Sequence, residues 1–190
     1  MERLKSMSKA TPQDLLNRPY IREAIREEDL GKVYTVAVHD PDINTPDLTE
    51  YLMSLGVDPL EYLDNIPYMY YHDGKNIQRL ECGPRIGSIG TSAFNGAAIK
   101  FVDIGENCRT IRSYAFSRSQ IETVVIHKAC KDIHMRAFAR CSHLEEIDYD
   151  GTSKEWYKIH KDSTWWEGSR SFKVFCRGDG RILHYPPEIV

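Results

Sequence analysis

The chain has 190 residues, 41% of them apolar and 28% charged, with a formal net charge of −3, a make-up that suits one water-soluble domain or a small helical unit joined to an extended one. No apolar run nears the ~20 residues of a spanning helix, and the polar start Met1–Met7 has no apolar signal core, so a cytoplasmic protein with no membrane partner is expected. Five cysteines, an odd set with no C-x-x-C pair, suggest neither a full disulfide framework nor a zinc ribbon, so free, mostly buried thiols are expected.

Residues 8–75 do not repeat, and are expected to form an N-terminal helical segment and cap. Thr11-Pro12-Gln13-Asp14 supplies a cap residue, a proline for the first helical position and an acid. Leu15, Leu16, Ile21, Ala24 and Ile25 follow at near-helical spacing, which predicts a helix over about 12–28. The β-branched stretch from Lys32 to Val38 predicts a strand, and the Asp-, Asn- and Pro-rich residues after it predict turns. A second helix opens at Thr45-Pro46, carries Leu48, Tyr51, Leu52 and Leu55, and stops at Gly56. A short third one follows Asp58-Pro59, with Leu60, Tyr62, Leu63 and Ile66 on its apolar side.

From residue 76 the chain repeats. Ala93-Phe94, Ala115-Phe116 and Ala137-Phe138 recur at a step of 22, as do Ile89, Ile111 and Ile133, and Ile77, Ile99 and Ile121. Leu80, Val102 and Val124 keep the step, and so do Cys82, Ile104 and Ile126, while Cys108 and Cys130 share one further column. The apolar pairs two residues apart mark a short strand with one buried face. A single 22-residue coil cannot bury that face, so the coils must stack, with one phenylalanine per coil forming an internal spine.

An altered copy begins at His143, one residue out of step, and leads through Gly151-Thr152 to the aromatic set Trp156, Tyr157, Trp165, Trp166, Phe172 and Phe175. Bulk of this kind suits a terminal repeat that must cover an open end. The pattern I-x-x-I-x-x-x-A-F at this step, ending in Tyr149-x-Gly151-Thr152 and Trp156, resembles the BspA-type leucine-rich repeat family over roughly residues 76–183. The resemblance implies a leucine-rich-repeat solenoid of 22-residue coils (76–142) ending in an aromatic C-terminal cap repeat (143–190), which with the N-terminal helical segment (8–75) gives an expected α+β fold. It also implies a non-catalytic module that binds proteins or surfaces. Short arrays of this kind look like those carried by phages and mobile elements, which suggests an inhibitor occluding a host defence enzyme in the host cytoplasm.

No phosphate loop, nucleophile elbow or H-E-x-x-H helix is present, so no catalytic residue and no cofactor is expected. His127-x-x-Cys130-x-x-x-His134 has a metal-like spacing, but Cys130 falls in an inward column, which makes packing the expected role and a metal site unexpected. The candidate partner-binding residues are those that the coil step aligns on the surface: Arg118 with Arg140, Arg109 with Lys131, and the outward Phe101 and Val125, beside Thr123. Residues 76–142 carry 10 Lys and Arg against 5 Asp and Glu, whereas residues 1–75 carry 8 against 14 and residues 143–190 carry 7 against 9. The basic middle favours a protein partner with an acidic face. Docking of the acidic N-terminal segment on the array of a second copy, and nucleic-acid binding through the basic face, are the alternatives.

Overall fold

Alternation of apolar and polar residues at a fixed 22-residue step leaves the backbone one way to satisfy both burial and hydrogen bonding, which is to coil. A computed structural model describes residues 63–186. The helices expected over about 12–28 and from Thr45-Pro46, and the strand over 32–38, lie outside the described residues.

Each coil contributes a strand to each of two sheets. The first sheet takes β1 (Arg79–Glu81), β3 (Phe101–Asp103), β5 (Thr123–Ile126), β7 (Glu146–Tyr149) and β9 (Phe172–Cys176), all parallel. It is closed by β10 (Arg181–Tyr185), which turns back antiparallel on β9. The second sheet takes the two-residue strands β2 (Ser88–Ile89), β4 (Thr110–Ile111), β6 (Asp132–Ile133) and β8 (His160–Lys161). Register follows the sequence step: Leu80 faces Val102, which faces Val124, and Ile89 faces Ile111, which faces Ile133. The result is a β-solenoid of about three turns.

The core is a set of columns. Leu80, Val102, Val124, Ile147 and Val174 line one wall, with Ile86, Cys108 and Cys130 inside the turn beyond them, all buried. The phenylalanine spine runs through the third wall. Phe94 and Phe116 stack at 5.2 Å between centroids and 5° between planes, and Phe116 and Phe138 at 5.1 Å and 11°. Tyr70 closes the stack edge-on at one end and Trp165 at the other. The spacing matches the ~4.8 Å separation of hydrogen-bonded strands, so stacked rings and backbone ladder impose the same repeat.

Both ends depart from the sequence expectations. Ile66, expected on the apolar side of a short helix, instead forms a parallel bridge with Ile89, and its amide donates to the Ser88 carbonyl at 2.9 Å. The rungs thus reach back to Ile66, because joining the ladder satisfies backbone groups at a wall that needs an apolar side chain. At the other end a short helix, α1 (Ser153–Lys158), starts at Thr152, whose hydroxyl accepts from the Glu155 amide while Glu155 returns a bond to the Thr152 amide. Trp156, Trp165, Phe172 and Tyr185 pack there as a cap, and Trp156 Nε1 donates to Tyr185 Oη at 2.9 Å. Tyr157, expected in that cap, is 66% exposed, since it follows Trp156 on a helix with only one buried side.

Lys161 ends the Ile66, Ile89, Ile111 and Ile133 column. Its ammonium bends over the Trp156 ring and donates to the Trp156 and Ile159 carbonyls that end α1, and burial lowers its pKa to about 8. A charge in the apolar column of the last strand blunts an edge that would otherwise accept another chain.

Candidate functional site

A coil has corners, and the corners set which side chains are displayed. Two corner positions per coil adopt the left-handed region. Met69, Ser92, Tyr114 and Arg136 occupy one, at φ between 53° and 59°. Asp73, Gly96, Arg118, Arg140 and Gly168 occupy the other. In this second column the first-coil Asp73 has a short polar side chain that tolerates the conformation, and Gly96 and Gly168 have no Cβ to oppose it. Arg118 (φ 58°) and Arg140 (φ 57°) have neither relief, so each costs about 1 kcal/mol relative to the unstrained backbone.

The sequence-predicted pair Arg118 and Arg140 is brought together here. Arg118 N–H donates to Ala139 O, and Arg140 N–H to Glu167 O, so the two residues are successive rungs of one ladder about 4.8 Å apart. With Tyr114, Ser117, Arg136 and Glu167 they line a cleft of about 250 Å³. Arg136 is already engaged: its Nε donates to Glu167 Oε2 at 2.6 Å and its Nη1 to Tyr114 Oη at 3.3 Å. Those bonds raise its pKa further. Among the described residues no carboxylate lies within ion-pair distance of Arg118 or Arg140. Tyr114 and Arg136 were not singled out from the sequence, although they too stand 22 apart and the same step would have aligned them.

The second predicted ladder, Arg109 and Lys131, forms on a different corner. Arg109 N–H donates to Gly87 O and Lys131 N–H to Arg109 O, and both side chains are exposed. The two ladders do not merge into one basic track, since one precedes the short strands and the other follows them.

The outward sheet face corrects the apolar candidates. Phe101 is half-buried beneath the Arg79 guanidinium, 3.7 Å above its ring, and Arg79 is itself bonded to Glu81. Val125 is 6% exposed and offers no accessible apolar contact. It sits mid-sheet between its register neighbours Asp103 and Asp148, two residues from His127 on the same face.

His127 ties three coils together. Its Nε2 lies 2.9 Å from Asp103 Oδ1 and its Nδ1 2.8 Å from Asp150 Oδ2. Burial alone would lower its pKa, but hydrogen bonds and charge from Asp103 and Asp150 outweigh that and raise it above the ordinary histidine value. Arg177 pairs with Asp148 alongside. The other members of the metal-like spacing point elsewhere: Cys130 is in the core, and His134 is exposed in a turn. Among the described residues no group of three or more His, Cys, Asp or Glu is arranged to hold a metal ion. Burial pushes the Cys108, Cys130 and Cys141 thiols up to about 12 and Cys176 to about 11, so these sulfurs are packing groups rather than nucleophiles.

The family model for BspA type leucine rich repeat regions matches residues 64–161 in six copies, just over half of the chain. The chain belongs to the BspA-type leucine-rich repeat family. Repeats of this family typically form non-enzymatic protein-interaction modules. No curated protein and no solved structure matches the chain. Among the described residues no helix is long and apolar enough to cross a membrane.

Proposed function

We propose that this BspA-type array is a non-catalytic module that binds a protein partner, with the Arg118 and Arg140 corner as its principal contact. The observation that carries the reading is the pair itself: two arginines with no carboxylate partner among the described residues, held on adjacent rungs in a backbone conformation that glycine adopts at less cost. A rigid stack suits such a role, because its side chains are ordered before the partner arrives and little entropy is lost on docking. Phe101 with Arg79, and the Arg109 and Lys131 ladder, form secondary contacts.

In its sharper form the partner is a host defence enzyme that the chain occludes, in keeping with the likeness of short arrays to those of phages and mobile elements. The test is capture from the source cell's extract by immobilised wild-type chain, followed by titration of the purified partner. A saturable complex weakened at least tenfold by R118E/R140E supports the reading. Absence of any stoichiometric partner counts against it. Charge asymmetry favours one second reading, self-assembly of the acidic residues 1–75 on the basic residues 76–142 of another copy. Light scattering that shows a monomer at all salt concentrations removes that reading.

A further inference from the structure

We infer that the cleft between the corners of successive coils is a carboxylate-reading site, in which Arg118 and Arg140 together grip Asp or Glu side chains of an acidic protein segment. The inference rests on the protein-binding reading and names the chemistry that its main contact recognises.

Three observations converge on it. Successive rungs hold the two guanidinium groups on backbones about 4.8 Å apart, and like charges so placed repel unless an anion lies between them. A planar carboxylate accepts from two such donors at once, and guanidinium geometry favours that pairing over a point contact. Next, the cleft already contains one carboxylate on the same surface: Glu167 is bound by Arg136 at 2.6 Å, with Tyr114 on the other side of that guanidinium. The corner therefore accommodates the group that Arg118 and Arg140 lack. Finally, the Arg140 stem packs over the next rung of the column: a Cβ at Gly168 would stand 3.4 Å from Arg140 Cγ, an ordinary contact distance, which places the Arg140 side chain along the cleft rather than away from it.

Protein is favoured over nucleic acid by shape and by charge. A nucleic-acid backbone needs a continuous positive track. Here the basic ladders are separate, the cleft of about 250 Å³ fits side chains, and the outward sheet face carries Asp103, Glu146, Asp148 and Asp150.

The test is fluorescence anisotropy with a fluorescein-labelled hexaglutamate peptide, at about 50 mM salt where surface charge is weakly screened. Wild type should bind saturably, and R118G/R140G should bind at least tenfold more weakly while melting no lower than wild type, since glycine relaxes both corners. K154Q/K158Q removes two exposed charges from α1 and should stay within twofold of wild type. Unchanged binding by R118G/R140G, an equal loss in K154Q/K158Q, no binding by wild type, or tighter binding of a labelled ten-nucleotide dT strand each overturns the inference. A protein partner retained by R118G/R140G would also overturn it while leaving the protein-binding reading intact. Hexaglutamate binding with no protein partner would do the reverse.

Discussion

Replacing Phe116 by alanine probes the stack where it is most loaded. Phe116 is fully buried and, among the described residues, is the one ring that stacks on two others, Phe94 and Phe138, at 5.2 and 5.1 Å. Truncation of a buried phenylalanine costs about 3–5 kcal/mol, of which the two ring pairs account for roughly 1–3 kcal/mol. That is a large share of the ~5–15 kcal/mol that stabilises a typical domain. In a solenoid the damage falls on the interfaces between coils, so the array should also split into less coupled halves. Urea unfolding can read both effects, because Trp156, Trp165 and Trp166 all lie in the C-terminal cap, whereas far-ultraviolet circular dichroism reports every coil. Wild type should show coincident transitions. Phe116→Ala should lose about 3 kcal/mol or more, with tryptophan fluorescence persisting to higher urea than the dichroism. A loss below about 1 kcal/mol with transitions still coincident would refute the idea that stacked rings couple the coils.

The His127 bridge makes stability depend on pH. A histidine whose folded pKa is raised contributes fully below its unfolded value of about 6.5, and the contribution fades as pH rises through the folded value. Thermal melts should therefore show wild type losing stability from pH 6 to pH 8.5 relative to His127→Gln; parallel curves would contradict the bridge. Cys108, Cys130, Cys141 and Cys176 should resist iodoacetamide at pH 8 in the native chain and react once it is unfolded, as mass mapping of the alkylated peptides can show. Arg118→Gly and Arg140→Gly should each melt at the wild-type temperature or up to ~4 °C above it. A clear drop in either would mean that the arginine serves the fold.

Columns that every coil must bury were legible in the sequence, because the same wall imposes the same residue class at each pass. Phe94, Phe116 and Phe138, and the strand pairs Leu80/Cys82, Val102/Ile104 and Val124/Ile126, occupy the inward places that the 22-residue step assigns them. The slip at His143 was legible too, since Thr123 pairs with Glu146, one residue beyond the step. Legibility failed where coils change length. Ile66 lies 23 residues before its bridge partner Ile89, and Lys161 lies 28 after Ile133, so neither was recognised as the end of an isoleucine column. Surface chemistry was harder for another reason. Val125 looked exposed from its outward phase alone, but it lies mid-sheet between Asp103 and Asp148, and the His127 bridge joins Asp150, 23 residues on across the slip, to Asp103, 24 residues back at a step that matches no column. Arg118 and Arg140 could be aligned by counting, whereas their left-handed backbone could not.

Placement of residues 22 apart side by side on adjacent coils underlies both the architecture and the binding corner, and pyrene excimer fluorescence measures it directly. The native thiols are buried, so cysteines introduced as R118C/R140C can be labelled selectively with a pyrene maleimide. Backbones ~4.8 Å apart should let the two pyrenes stack and give strong excimer emission that vanishes on unfolding and is absent from a mixture of the two singly labelled chains. Monomer emission alone from the folded double variant would show that the coils are not stacked in this register.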